Sequence, residues 1–112
     1  MYLLPLAFPG LDPSEILLEG NLLGSKLVLN EFVAFQQLGG MISSMDYRTG
    51  MIFAISLCGF ANFSSLGICV SGIAVLCPEK KSTLARLVFK AMLGGVAASL
   101  ISAMTVGLVT LC

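Results

Sequence analysis

Residues 14–38, which read SEILLEGNLLGSKLVLNEFVAFQQL, constrain the fold of this chain more than any other segment. The segment is apolar, and no window of it supplies the roughly 20 apolar helical residues that crossing a hydrocarbon core of about 30 Å requires. The pattern instead predicts a hairpin of two half-length helices that meet near residues 26–30. Such a re-entrant hairpin is tolerated at membrane depth only where it packs in protein or lines a wet cavity. The interrupting polar residues are Glu15, Glu19, Lys26, Asn30 and Glu31.

A second interpretation of the same segment is an amphipathic helix that lies on the membrane surface. Its apolar residues spread around the helix, however, and Lys or Arg residues on a polar face are lacking. The hairpin is therefore the favoured prediction. The GxxxG spacing of Gly20 and Gly24 fits a closely packed hairpin arm, although this signal is weak outside a long apolar span.

The composition of the whole chain indicates a membrane protein. Of its 112 residues, 57% belong to the set AVILMFWYC, 11% are charged, and the mean hydropathy is +1.00. Soluble domains usually carry about 25% charged residues, so this chain cannot cover itself with a polar surface. Disorder is excluded because it requires low hydrophobicity and high charge. The net charge of zero leaves no electrostatic footprint for nucleic acid, so membrane lipid is the expected surrounding.

The cysteines indicate neither a metal site nor a disulfide framework. They form no CxxC pair, and a chain without His has no Cys/His zinc set. A cysteine in an apolar run is most simply a small buried hydrophobe. The sequence also has no phosphate-cradling loop and no nucleophile with a base beside it. We therefore expect no metal, no bound cofactor and no enzymatic activity. The four cysteines are Cys58, Cys69, Cys77 and Cys112.

Two further stretches, residues 51–77 and 91–112, are long and uncharged enough to cross a membrane. The polar turn PEKKSTLAR at 78–86 separates them, and Ser82 or Thr83 within it is expected to cap the last helix. By the positive-inside rule this turn faces the cytoplasm, because the only basic cluster of the chain lies there. The cluster consists of Lys80, Lys81, Arg86 and Lys90.

The sequence therefore predicts an all-α integral membrane fold, in which a re-entrant helical hairpin precedes a broken transmembrane helix and a final transmembrane helix. With the polar turn in the cytoplasm, the hairpin enters the membrane from the outside. The expected segments are the end of a preceding helix and loop (1–11), the hairpin (12–40), an extracellular-side loop (41–50), the broken helix (51–77), the cytoplasmic turn (78–86) and the last helix (87–112).

Glu31 is the most informative single residue, because it stands in the apolar string LVLNEFVA. A carboxylate at the bilayer centre is costly, so such a residue usually faces a cavity or a partner and marks a pathway. Two other interpretations stay open from the residues alone. Glu31 could pair internally with Lys26, or it could occupy a loop at the membrane interface.

A second polar cluster, Asn62, Ser64 and Ser65, interrupts the uncharged run. Asn62 and Ser65 are three residues apart and share a helix face. Gly59 and Gly67 flank the cluster, which suggests a locally unwound span of the kind found in transporters with broken helices. The alternative is ordinary hydrogen bonding between packed helices, for which Ser and Asn are well suited.

These features together are transporter-like. A carboxylate only accepts hydrogen bonds, whereas an amide both donates and accepts them. Together these two groups favour a polyhydroxylated or amine-bearing solute. A different interpretation is a small, non-transporting helical subunit that packs on another membrane protein. The small residues of the last span, including Gly94 and Gly95, suit such close helix packing.

Three segments resemble the carboxy-terminal region of concentrative nucleoside transporters. They are GNLLGSKLVLNEFVAF at 20–35, LCGFANFSS at 57–65 and, less specifically, PEKKSTLAR at 78–86 followed by a small-residue helix. Their order and spacing agree with that family, and the resemblance covers nearly the whole chain. It implies that the ribose of a nucleoside is bound by residues of the hairpin tip and the broken helix, namely Glu31, Asn62 and Ser65.

The resemblance also implies the setting of this site. The family consists of homotrimers that work by an elevator-like motion, are coupled to Na+ or H+, and are multi-pass proteins of the plasma (inner) membrane. Its base contacts and sodium ligands lie on upstream elements that this sequence lacks. We therefore expect a carboxy-terminal portion of a nucleoside symporter, inactive alone, whose partner is the missing upstream half. A fragment, a truncated gene product and one half of a split transporter are all consistent with the sequence.

Overall fold

The computed structural model describes residues 12–110, and this part of the chain is helical apart from short connections. The segment expected to end a preceding helix, residues 1–11, lies outside the described residues, as do residues 111–112. The elements in chain order are α1 (Pro13–Val28), α2 (Glu31–Met41), a 3-10 turn (Ile42–Ser44), α3 (Tyr47–Leu57), α4 (Phe63–Leu76), a second 3-10 turn (Pro78–Lys80) and α5 (Lys81–Val109).

Helices α1 and α2 pack against each other as a helical hairpin, and the chain turns between them within two residues. The turn ends at Asn30 because its side chain caps α2, accepting from the backbone N–H of Val33 at 3.0 Å. Glu31 is consequently the first residue of α2. The observed turn at 29–30 falls inside the tip predicted at 26–30.

The loop predicted at 41–50 is much shorter in the structure, and that prediction was wrong in its extent. Helix α2 continues to Met41, the 3-10 turn follows directly, and α3 begins at Tyr47. Asp46 starts α3 early, because its carboxylate caps the helix by accepting from the backbone N–H of Arg48 at 3.3 Å.

The uncharged run 51–77 is divided between α3 and α4, and residues 58–62, called the break below, lie outside both helices. Gly59 has a φ of +133°, a conformation that glycine adopts without the strain a side chain would bring. Asn62 then caps α4, its Oδ1 accepting from the backbone N–H of Ser65 at 2.8 Å. The break leaves neither helix with the roughly 20 residues that a crossing takes.

Helix α5 starts earlier than predicted. The turn expected at 78–86, with a cap at Ser82 or Thr83, is wrong, because α5 begins at Lys81 and has no side-chain cap. The physical reason is that Pro78 already starts a 3-10 turn, and no glycine or proline follows it to delay the helix.

Among the described residues, Pro78–Val109 is the one helical segment long and apolar enough to cross a membrane. Only a narrow seam of α5 is buried within this part of the chain. The seam residues follow one another at spacings of seven and four, which places them on one helix face. They are Met92, Ser99, Ala103 and Gly107.

The apolar core lies where the hairpin, α3 and the seam of α5 meet. Large apolar side chains also cover the outer faces, and exposed apolar surface of this extent indicates lipid or protein neighbours. A Cβ built on Gly24 would meet nothing within 4 Å, so the close packing expected of the GxxxG arm is not found at this glycine within residues 12–110. The core residues are Leu22, Leu23, Ala34, Leu38, Ile52, Phe53, Leu57 and Ala103.

Gly95 marks a close approach between α5 and the break. A Cβ at Gly95 would lie 3.0 Å from the Cβ of Ala61, whereas one at Gly94 would meet nothing within 4 Å. We expect Gly95→Val to lower the free energy of unfolding by about 1–3 kcal/mol more than Gly94→Val, because overpacking pushes the break away from α5.

The two variants place the same β-branched residue at neighbouring positions of one helix, so its intrinsic helix cost cancels between them. Thermal unfolding of the purified chain in lipid nanodiscs, followed by circular dichroism, measures the difference. Equal melting temperatures would show that Ala61 moves aside without cost.

Candidate functional site

The hairpin tip and the break meet through one hydrogen bond between two predicted site residues. Asn62 Nδ2 donates to Glu31 Oε2 at 2.6 Å. Asn62 is 1% exposed, whereas Glu31 is partly exposed. Because 31 residues separate the two in sequence, this contact depends on the hairpin folding back onto the broken helix.

Each helix cap at this contact serves the site as well as the helix. Asn30 fixes the start of α2 and so places Glu31 in its first turn, while Asn62 both caps α4 and binds Glu31. The N-termini of α2 and α4 therefore both lie close to the Glu31 carboxylate. Helix N-termini carry partial positive charge, which stabilises an anionic group there.

Ser65, the third predicted site residue, lies beside Asn62, but its hydroxyl is engaged within the break. Its Oγ accepts from the backbone N–H of Asn62 at 3.3 Å and lies 2.6 Å from the carbonyl oxygen of Phe60, to which it can donate. Ser65 is 4% exposed. The structure thus brings Glu31 and Asn62 into direct contact, whereas the hydroxyl of Ser65 is hydrogen-bonded within the break.

One oxygen of Glu31 is left for another partner. Oε2 accepts from Asn62, and within residues 12–110 no side chain or backbone N–H donates to Oε1. Because the residue is partly exposed, this oxygen can accept a hydrogen bond from a solute hydroxyl or amine.

Lys26 is the residue whose importance the sequence did not reveal. It is 0% exposed, and its Nζ donates to the carbonyl oxygen of Ser56 at 3.1 Å and to Ser99 Oγ at 3.3 Å. The internal pair with Glu31 considered above is thus replaced by two neutral acceptors. Lys26 ties α1 to the last turn of α3, where carbonyls lose their intrahelical partners, and to α5. The sequence did contain one indication, because a lysine within an apolar hairpin arm needs buried hydrogen-bond acceptors.

A row of polar contacts also joins α1 to α3, and the sequence did not indicate it. Thr49 Oγ1 donates to Glu15 Oε1 at 3.0 Å, and the Ser56 hydroxyl contacts Glu19 Oε1. The usable signal was the four-residue spacing of Glu15 and Glu19, which places both carboxyls on one face of α1. In the first turn of α3, beside Thr49, Arg48 donates to the carbonyl oxygen of Gly107 at 2.8 Å and so joins α3 to α5.

One groove, of about 490 Å³, lies between α4, α5 and the break. Apart from Ser65, its lining is almost wholly apolar. This surface suits apolar neighbours, so the candidate site is defined by the polar contact at the hairpin tip. Among residues 12–110, no group of three His, Cys, Asp or Glu side chains could hold a metal ion.

Comparison with known proteins gives consistent matches. Residues 1–107 match a family model described as the Na+ dependent nucleoside transporter C-terminus. The uncharacterized transporter YutK of Bacillus subtilis is 44% identical over 105 residues, which is 93% of this chain and 26% of the relative. Nucleoside permease NupC of Helicobacter pylori is 38% identical over 110 residues (93% and 26%), and human sodium/nucleoside cotransporter 1 is 36% identical over 103 residues (79% and 16%).

The fold agrees with solved structures of a transporter called CNTnw. Its inward-facing, substrate-bound state gives a TM-score of 0.89 at 34% identity, covering 99% of this chain and 28% of that chain. A variant in an outward-facing state gives 0.85 at 34% identity, covering 96% and 27%. The chain therefore spans about a quarter of the length of the bacterial relatives and of the solved structures.

Proposed function

Because the chain belongs to the family of Na+-dependent, or concentrative, nucleoside transporters and matches their carboxy-terminal region, we propose that it supplies the ribose-binding half of a nucleoside site. Members of this family are multi-pass membrane transporters and not enzymes. The observation that carries the proposal is the hydrogen bond from Asn62 to Glu31, which joins the hairpin tip to the break.

The proposed chemistry is recognition of the vicinal hydroxyls of ribose. Glu31 Oε1 accepts from one hydroxyl, and an ionised carboxylate gives such a hydrogen bond about 1.5–3 kcal/mol. Asn62 and Ser65 exchange their internal hydrogen bonds for bonds to the sugar, since amides and hydroxyls both donate and accept. The two helix N-termini offset the cost of keeping the carboxylate ionised inside the membrane.

The helix lengths support a re-entrant placement of the hairpin and an interruption of the second apolar run. The hairpin arms α1 and α2 have 16 and 11 residues and α4 has 14, so each is shorter than the roughly 20 residues that a crossing takes. Half-helices of this kind place their N-termini near the bilayer midplane, where transporters bind their substrates. The hairpin enters from the side opposite the basic residues at the start of α5, among them Lys80 and Lys81, which face the cytoplasm.

The remainder of the transporter supplies the base contacts and the coupling-ion site. We propose that the complete protein is a homotrimeric symporter of the plasma (inner) membrane, in contact with lipid and coupled to Na+ or H+. The family description favours Na+. The chain alone is expected to transport nothing, because it holds one side of the substrate site.

A chimeric transporter tests this proposal. The chain replaces the matched 110 residues of Helicobacter pylori NupC, and the chimera is produced in a bacterial host that lacks nucleoside uptake. We expect uptake of radiolabelled uridine well above that of NupC lacking this region, and background uptake from the chain alone.

Two outcomes would overturn the proposal. One is background uptake by a chimera that reaches the membrane in the same amount as intact NupC. The other is uptake by the chain alone, which contradicts its dependence on an upstream half. If the chain instead co-purifies with a different membrane protein and uridine leaves its melting temperature unchanged, it is a non-transporting helical subunit.

A further inference from the structure

Glu19 is a buried carboxyl group that the nucleoside site does not use. The residue is 0% exposed, its Oε1 contacts the Ser56 hydroxyl, and within residues 12–110 its Oε2 has no hydrogen-bond partner. Because Oε2 is buried within the chain itself, a group that satisfies this oxygen has to fit a closed interior and must be small.

A count of hydrogens at Ser56 indicates what that species is. The hydroxyl of Ser56 has one hydrogen but two oxygen neighbours, the carbonyl oxygen of Phe53 at 2.8 Å and Glu19 Oε1. If Glu19 were ionised, the single hydroxyl hydrogen of Ser56 could lie in only one of these two contacts. The other contact would then bring two hydrogen-bond acceptors together with no hydrogen between them. If Glu19 carries a proton, its O–H donates to Ser56 Oγ and the Ser56 hydrogen is free for Phe53.

The position of Lys26 agrees with an uncharged Glu19. Lys26 lies seven residues further along α1, on the same face. A buried ammonium gains most from an ionised carboxylate partner. Its Nζ nevertheless donates to two neutral oxygens, the carbonyl of Ser56 and the hydroxyl of Ser99.

We propose that Glu19 is a proton-binding site, distinct from the nucleoside site, in the contact between the hairpin and α3. A metal cation fits the site poorly, because it needs several oxygen ligands and Ser56 already gives its carbonyl to Lys26. The titratable or charged side chains on the elements packed around Glu19 and its neighbour Lys26 are Glu15 and Lys26 of α1, Glu31 of α2, Tyr47 and Arg48 of α3, Cys58 of the break, and Cys69 of α4.

Proton occupancy is thereby linked to the packing of the hairpin. Neutral Glu19 fits an interior that offers Oε2 no donor, whereas its ionised form would leave a buried charge only partly compensated. Loss of the proton therefore favours separation of α1 from α3.

Infrared spectroscopy of the purified chain in lipid nanodiscs tests the proposal without reference to transport. The carbonyl stretch of a protonated carboxylic acid should be present at neutral pH and should disappear in Glu19→Gln. Glu15→Gln is the matched control, because Glu15 lies one turn earlier and both of its oxygens have donors, Asp12 N at 2.9 Å and Thr49 Oγ1 at 3.0 Å. The band should persist in this control.

Thermal unfolding supplies an independent test. A glutamine side chain reproduces the shape and neutrality of the protonated acid, so Glu19→Gln should melt with the wild type at a pH low enough for the unfolded chain also to keep Glu19 protonated. As the pH rises above the ordinary titration range of a glutamate, the unfolded wild type loses this proton while the folded chain keeps it. The wild type and Glu15→Gln should therefore lose stability with rising pH more steeply than Glu19→Gln.

Three results would overturn the proposal. They are the absence of the acid band from the wild type at neutral pH, a markedly lower melting temperature of Glu19→Gln at neutral pH, and loss of the band when Na+ replaces choline at constant pH. The last result would assign the site to a metal cation.

Discussion

Glu31→Gln should lower uridine uptake by the NupC chimera about 10- to 100-fold. The substitution keeps the size of the side chain and an oxygen that can accept from Asn62, but it removes the negative charge. A hydrogen bond to an ionised group contributes about 1.5–3 kcal/mol, and each 1.4 kcal/mol changes a binding constant about tenfold. The loss should therefore fall mainly on affinity for the ribose.

The matched control is Glu79→Gln, which neutralises an exposed carboxylate in the 3-10 turn before α5, far along the chain from the hairpin tip. Uptake by this variant should equal that of the unchanged chimera. A competition assay with 2′,3′-dideoxyuridine, which lacks both hydroxyls, separates a ribose contact from a general defect. If Glu31→Gln leaves uptake and the preference for uridine over the dideoxy analogue unchanged, Glu31 does not bind ribose.

Gly59→Ala should destabilise the folded chain by about 1–3 kcal/mol, the usual cost of holding a residue with a side chain in a sparsely populated backbone conformation. The φ of +133° at this position is one that glycine adopts readily and other residues rarely adopt. The added Cβ would lie 3.8 Å from Lys26 Nζ and 3.9 Å from Ser99 Cβ, which are ordinary van der Waals distances, so the cost comes from the backbone conformation. Because the break carries Asn62, uptake by the chimera should fall as well.

Gly67→Ala is the control for this effect. Gly67 lies inside α4, is exposed, and a Cβ there would meet nothing within 4 Å. Alanine is favoured over glycine in a helix by about 0.8–1 kcal/mol, so this variant should melt at an equal or higher temperature. Circular dichroism of both variants in nanodiscs decides the matter, and similar melting temperatures would mean that the break does not require glycine at position 59.

The sequence predicted the interruptions of the helices well, because their causes are local. Polar residues in apolar runs indicated both the turn near Asn30 and the break near Asn62, and the two asparagines are the caps that restart each helix. It did not distinguish Gly59 from Gly67, which look equivalent in sequence but differ in backbone conformation. The early start of α5 was also missed, since Ser82 is acceptable both as a cap and inside a helix.

The contacts of Lys26 and Glu19 could not be predicted, because they depend on distant segments. Ser56 and Ser99 are 30 and 73 residues from Lys26, and nothing in the sequence selects them from the other serines. The resemblance to nucleoside transporters brought Glu31, Asn62 and Ser65 together as one site. The hydrogen bond from Asn62 to Glu31 and the engagement of the Ser65 hydroxyl within the break could not be predicted from the sequence.

The bond from Lys26 to Ser99 has a consequence for biosynthesis. At about 5–20 residues per second, a ribosome adds the 73 residues between them in roughly 4–15 s. During that interval the lysine of the nascent hairpin lacks one of its two buried acceptors. The hairpin therefore completes its docking only after α5 has been synthesised and inserted, although it is made first.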